Sequence, residues 1–310
     1  MNNYNIYIIN NSNLKIRIDK FLSNNIKNIS RSYIKKLILN KNVSINNKII
    51  LDPNFILKSN EEIKINLLYI NNKNIYSLNR KINIDIIYED NDIIIINKKP
   101  NIIVNPELNN LLISNLIKYY PNLVNIDNFG IVHRLDKNTT GLIIFAKSKL
   151  AYLNLKKIFY LRKIIKEYDA IVTGSLISGG FINLPISRNK INRKIMNINI
   201  ISGKKSITNY RIIKKFNLHT YIKIRIKTGR THQIRTHMSY IGYPLVGDFI
   251  YGKNNSNFKK SCLFLKNKNI NFNRQALHSS RVIFNHPISN KEINISISIP
   301  YDMKFLLKNI

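Results

Sequence analysis

Gly130-Ile131-Val132-His133-Arg134-Leu135-Asp136-Lys137-Asn138-Thr139-Thr140-Gly141 is the densest chemical stretch of the chain. A carboxylate sits between two cations, and hydroxyls and a glycine follow it. The flanks, GIVH and GLIIFAKS, read as strands, so the segment is a loop held by sheet at both ends. The plain alternative is a turn stabilised by a local ion pair. Two features favour a site instead. Acids are scarce in this chain, and this one lies in the middle of a cationic region.

The surroundings sharpen that contrast. Lys and Arg number 50 against 16 Asp and Glu, a net charge of +34 over 310 residues. The excess is spread along the chain and calls for a polyanionic partner, nucleic acid before an anionic membrane. Residues 170–247 hold 14 Lys and Arg and no carboxylate, so this segment is expected to line a phosphate-binding cleft. The 62 Ile and 51 Asn exceed a third of the residues and look like nucleotide bias acting on the protein. Motif arguments therefore rest on Gly, Pro, His, Asp and Arg.

A second constellation is Thr228-Gly229-Arg230-Thr231-His232-Gln233-Ile234-Arg235-Thr236-His237. Before it, YIKIRIK (221–227) alternates Ile222, Ile224 and Ile226 with Lys223, Arg225 and Lys227, a half-buried strand with a cationic outer face. Thr231 is expected to open a helix that Gly242 ends, a favourable place for phosphate. Arg235 lies one turn into it. His232 and His237 are five apart, poor spacing for two metal ligands, so packed or hydrogen-bonded histidines are favoured. Lys166-Glu167-Tyr168-Asp169 starts a strand. Tyr168 is there either a core residue or a surface on which a base could stack.

The organisation is α+β. Residues 15–70 read as a small basic module. It has helices near Asp19–Ile26 and around Tyr33, Ile34, Leu37 and Ile38, the latter capped by Ser30 or Ser32. Strand-like pieces follow at Val43–Ile45 and Ile63–Ile65. Residues 71–80 read as a linker and 81–310 as a larger domain. In the latter, Ile84–Tyr88 and Ile93–Ile96 form a hairpin pattern, and residues 148–159 an amphipathic helix capped by Ser148. The single cysteine, Cys262, excludes an internal disulfide and a cysteine-rich zinc site. There is no secretory signal pattern and no apolar run of bilayer length. A cytoplasmic protein is expected, with a monomer as the default.

HRLDKNTTGL, KEYDAIVTG, GRTHQIRTHMSYIGYPLVGD and RQALHSS with HPIS occur here in the order and spacing of RluA-type pseudouridine synthases, which the chain resembles over residues 15–305. RIDKFL…SRSYIKKLILNKNVSINNK resembles an S4 RNA-binding domain. The resemblance implies an S4 domain followed by a catalytic domain built on a mixed, mostly antiparallel, bent sheet with a central cleft. It implies isomerisation of uridine to pseudouridine in structured RNA, most closely large-subunit (23S) ribosomal RNA, with no cofactor and no metal; no obligate protein partner is evident in the sequence. Asp136 matches the family's catalytic aspartate, Arg235 the arginine that pairs with it, and Tyr168 the tyrosine that packs on the target base. Arg134 matches the arginine that can fill the gap left by a flipped nucleotide, and Leu277 an apolar pocket position. His133 and Arg230, in the same blocks, are expected to contact RNA, as are Arg31, Lys35 and Lys36 of the S4 segment. The block Lys99-Pro100-Asn101-Ile102-Ile103-Val104-Asn105-Pro106 departs from the family's Lys-Pro-x-Gly…His-Pro pattern in lacking the Gly and the His.

The chemistry fits these residues. Breaking a glycosidic bond leaves positive character on the sugar, which one placed carboxylate can stabilise or attack. Whether Asp136 adds to C1′ or removes the C2′ proton stays open at this level. A non-catalytic RNA-binding or ribosome-assembly factor, and a sister synthase acting on transfer RNA or another ribosomal site, are the competing readings.

Overall fold

In the amino-terminal segment, apolar residues recur at helical spacing and then at every second position, and the chain folds accordingly. A computed structural model describes residues 4–8, 16–26, 31–66, 83–106 and 110–310. It forms two compact units, residues 1–84, 103–131 and 146–152 in one and 85–102, 132–145 and 153–310 in the other.

In the first unit, helices α1 (Ile18–Asn25) and α2 (Arg31–Leu39) accompany strands β1 (Tyr4–Ile8), β2 (Val43–Ile45), β3 (Lys48–Ile49) and β4 (Glu62–Asn66), ordered β1-β4-β2-β3. Ile18, Leu22 and Ile26 meet Ile34, Leu37 and Ile38 over Val43, Ile45, Ile63 and Ile65 in one buried cluster. Asn46 and Asn47 join β2 to β3 with φ of 47° and 65°, the left-handed pair that a two-residue hairpin needs. Asp19 is fully buried, yet Arg17 and Arg31 each reach it at 2.9 Å and Lys35 at 3.8 Å. Arg31 and Lys35, expected to meet RNA, are thus engaged by Asp19, while Lys36 is exposed and has no such partner among the described residues. The linker at 71–80 and the cap at Ser30 or Ser32 lie outside the described residues or side chains.

Farther along come β5 (Ile86–Glu89), β6 (Ile93–Lys98), α3 (Leu111–Tyr119), β7 (Thr140–Ala146) and α4 (Lys149–Tyr160). Then follow β8 (Ile165–Thr173), β9 (Gly180–Asn183), β10 (Ile186–Arg188), β11 (Met196–Ile198), β12 (Ile207–Lys215) and β13 (His219–Ile226). The chain closes with α5 (Gln233–Tyr240), α6 (Phe249–Gly252), α7 (Ser256–Asn267), β14 (Leu277–Asn285), β15 (Glu292–Ser296) and α8 (Tyr301–Asn309). Ser148 caps α4 as expected, its Oγ accepting the Ala151 N–H at 3.2 Å.

A nine-stranded sheet orders β5-β6-β7-β14-β8-β13-β12-β9, with β15 on β14. The β7–β14 pair is parallel, and β8 pairs antiparallel with both β14 and β13. Every residue of β7 is buried, as are Ile93–Ile96 of β6, which explains runs without alternation. The central strands β8 and β14 supply Tyr168 and Leu277, while the loop before β7 and helix α5 supply Asp136 and Arg235.

Candidate active site

The Asp136 loop is fixed from behind by backbone and by one buried lysine. The Thr139 N–H donates to the Asp136 carbonyl at 3.1 Å. Lys98, 1% exposed, donates its ammonium to the carbonyls of Lys99, Ile102 and Lys137 at 3.0, 3.1 and 3.0 Å. Burial pushes the Lys98 pKa down to about 7, with the Asp136 charge opposing. Arg274 Nη1 reaches the Asn138 carbonyl at 3.3 Å, and Gln275 donates to Thr139. Gly141 has a φ of 108°, and a Cβ there would lie 2.2 Å from the Ser279 carbonyl, so only glycine lets β7 pass this close to β14. In the departing block, Asn101 takes a φ of 64°, a conformation asparagine tolerates better than most residues, and its N–H reaches Asn138 Oδ1.

The Asp136 side chain meets a fixed cation. Arg235 Nη1 donates to Asp136 Oδ2 at 3.2 Å, while Nε and Nη2 close on Asp248 at 2.7 and 2.9 Å. Arg235 and Asp248 are buried, and the guanidinium lies over the Tyr251 ring at 4.9 Å. Burial works against the Arg235 charge, but its bonds to Asp248 outweigh this and the pKa is raised. His232 Nε2 is 3.8 Å from Asp136 Oδ2 and its Nδ1 is 2.9 Å from the Tyr251 hydroxyl. Burial lowers the His232 pKa despite the Asp136 carboxylate.

These groups open on a cavity of about 480 Å³. Tyr168 lines it from β8, buried, with its hydroxyl bonded to Ser279 and its pKa raised by burial. Leu277, the first residue of β14, lines it as well. Arg134 is exposed at its edge, and Arg230 is half-buried with Nε 3.3 Å from the Lys205 carbonyl. His133 faces the cavity but is committed: Nε2 accepts the Ile144 N–H at 2.9 Å and the ring stacks on Phe159. Among the described residues, the lining cations are Arg134, Arg162, Lys166, Lys227, Arg230 and Arg235, against one carboxylate, Asp136. Arg31, Lys35 and Lys36 belong to the other unit and do not line this cavity.

Two expectations need correction. The outer face of β13 is not a free cationic stripe: Lys223 pairs with Asp169 at 2.9 Å and Arg225 with Glu167 at 2.8 Å. The strand register brings those acids of β8 opposite the two cations, which a count within 170–247 cannot register. Thr231 does not open the helix. His232, at φ 52°, stands before α5, which starts at Gln233, and the Gln233 amide turns back to accept from Thr228 and the Arg230 N–H. His237 is a packed histidine, bonded to Thr208 and the Leu184 carbonyl.

Lys98, Lys166, His232, Asp248 and Tyr251 complete the site without having been singled out as site residues. Asp248 carried a signal: it is the acid that ends the carboxylate-free run, directly after Gly247. That glycine has a φ of 72°, and a Cβ there would fall 2.1 Å from the Arg274 carbonyl. Among the described residues, no group of three or more His, Cys, Asp or Glu is placed to hold a metal ion.

Comparison with known proteins agrees with this construction. The family model described as RNA pseudouridylate synthase matches residues 92–240, and that of the S4 domain residues 16–63. The chain is 43% identical over 297 residues to the ribosomal large subunit pseudouridine synthase D of Buchnera aphidicola subsp. Baizongia pistaciae, covering 95% of this chain and 93% of that one. It is 37% identical to the protein of that name from Escherichia coli K12, covering 97% and 92%. The fold is also that of the structure titled human RNA pseudouridylate synthase domain containing 4, with a TM-score of 0.59, 22% identity and coverage of 73% and 92%. The match to these relatives over more than nine-tenths of both chains, with an S4 segment ahead of a basic cavity that holds the Asp136–Arg235 pair, places the protein in the RNA pseudouridine synthase family.

Proposed function

We propose that the protein converts uridine to pseudouridine in large-subunit ribosomal RNA, with Asp136 as the catalytic carboxylate. The observation that carries this is Asp136, held by Arg235 and, among the described lining residues, the one acid in a cavity of six cations. The relatives at 37% and 43% identity bear a large-subunit name, which supports the choice of ribosomal RNA.

The N1–C1′ bond breaks with its electron pair leaving on the uracil. The base turns, C5 bonds to C1′, and the C5 proton is lost while N1 gains one. Asp136 acts on the ribose, at C1′ or at the C2′ proton; both routes begin from the carboxylate. Arg235 positions that carboxylate and is itself locked by Asp248. Tyr168 presents a ring to the base, and its raised pKa keeps the hydroxyl protonated. Leu277 packs beside it. A base in folded RNA must first leave its stack, at a cost of about a few kcal/mol. Arg134 at the edge fills the space the base leaves, and Arg230 and His133 form the wall around the flanking strand.

Residues 15–70 serve as the RNA-binding S4 domain, with Lys36 and the half-exposed faces of Arg31 and Lys35 toward RNA, and 81–310 as the catalytic domain. We infer a cytoplasmic monomer. No helix among the described residues is long and apolar enough to cross a membrane. The test is a map of pseudouridine in ribosomal and transfer RNA from cells with and without the protein. New sites in 23S RNA are expected. Sites confined to transfer RNA would reassign the substrate, and no site anywhere would leave an RNA-binding protein without catalysis.

A further inference from the structure

Strand β8 alternates its faces with a sharp division of charge. Glu167 and Asp169 point one way and are met by Arg225 and Lys223. Lys166 and Tyr168 share the other face, which lines the cavity. Lys166 is the anomaly. Among the described residues its ammonium has no ion-pair or hydrogen-bond partner. It lies 5.5 Å from the centre of the Phe159 ring, and a Cβ on Gly229 would come within 3.2 Å of it. An ammonium half removed from water without an acceptor is unfavourable. Burial accordingly lowers its pKa to about 8. Such a group waits for an anion.

The structure narrows which anion. Asp136 is already bonded to Arg235. Lys166 lines the cavity with Arg162, Lys227 and Arg230, and its partner across the sheet is Ile226, the neighbour of Lys227; among the described lining residues Asp136 is the one acid. Several cations, with that acid already engaged by Arg235, suit the continuous charge of a nucleic-acid backbone better than a single neutral carbonyl of a base. Lys166 also stands two residues from Tyr168, about 7 Å along the strand. That is a fitting separation between a bound base and the phosphate of a neighbouring nucleotide.

We propose that Lys166 binds a backbone phosphate of the RNA strand next to the extruded uridine. This rests on the function proposed above for the same cavity. Lys166 is a binding residue here and takes no part in bond breaking.

The experiment compares the wild-type protein with K166M and K166R in binding to a short single-stranded oligouridine across a salt series. Loss of one phosphate contact lowers the slope of log affinity against log salt by about 0.7. K166M should show that drop, and K166R should restore the wild-type slope. On large-subunit ribosomal RNA, K166M should raise KM about tenfold and leave kcat within about twofold. If K166M fails to fold, K166Q is read in the same assay. A neutral variant with the wild-type slope, or one that loses kcat with its slope unchanged, overturns the proposal. The slope does not require turnover. A protein that forms no pseudouridine yet shows the drop would refute the function while sustaining the contact.

Discussion

Arg235 spends three donors on two carboxylates: two close on buried Asp248, and the third reaches Asp136 Oδ2 at 3.2 Å. The fork geometry of a guanidinium makes this division possible, and the bond to Asp248 sets the direction of the remaining donor. Asp136 thereby has its position fixed by a residue 99 positions away in the chain.

Asp248→Asn keeps the size of the side chain but removes the charge that holds Arg235. Pseudouridine formation should fall by about 100-fold, as expected when a reacting group is misplaced by a fraction of its working distance. RNA affinity should stay within about twofold, because Asp248 is buried away from the cavity wall. Single-turnover kinetics beside a binding titration separates the two. Equal losses in both would show that Asp248 supports the binding surface instead.

Lys98 makes three bonds to backbone carbonyls behind the Asp136 loop. Lys98→Met should remove the ammonium donor from all three, with only the Lys137 carbonyl keeping another, the Ile102 N–H at 3.1 Å, and cost about 1–3 kcal/mol of stability. The unfolding midpoint in urea reads this directly. An unchanged midpoint would mean that the ammonium bonds merely offset their own burial.

Asp19 joins α1 to α2 through Arg17, Arg31 and Lys35. Its pKa is lowered: burial opposes the charge, but the bonds from Arg31 and Arg17 prevail. Asp19→Ala leaves three cations close together, and should destabilise the first unit by about 1–3 kcal/mol. Hydrogen exchange in α1 and α2 should rise while β8 and β13 keep their protection. Uniform loss of protection would contradict a local role.

Three histidines give the fold an acid-sensitive side. His133, His219 and His278 have pKa values pushed by burial down to about 3, 4 and 4. Each is neutral in the fold and protonates near 6.5 when unfolded. Their contribution is therefore complete above pH 6.5 and is lost as the pH falls toward 4. The loss approaches about 1.4 kcal/mol per pH unit for each histidine. Thermal melting from pH 7.5 to 4.5 should show a midpoint that is flat at first and falls steeply below about pH 6. A midpoint that holds to pH 4.5 would contradict buried neutral imidazoles.

Periodicity and punctuation made much of this legible beforehand. Tyr33, Ile34, Leu37 and Ile38 announced α2 because their spacing puts the apolar residues on one face. Asp136 and Arg235 stood out because an acid is rare in a basic chain and the motif around each is long. What escaped depends on contacts across strands and loops. The partners of Lys223 and Arg225 come from β8, and register is set only when the sheet forms. Lys98 looked like one more lysine in a chain full of them, and only three converging carbonyls distinguish it. His232 was read for metal spacing, whereas its place beside Asp136 follows from the left-handed turn ahead of α5.

The central claim is that one carboxylate performs the chemistry. Pseudouridine formation by Asp136→Asn, measured in ribosomal RNA alongside its RNA affinity, tests it most directly. Product should vanish with affinity within about twofold of the unaltered protein, since the amide keeps the shape of the side chain and loses its charge. Pseudouridine formed by the variant at an undiminished rate would contradict the assignment and move the chemistry to another group.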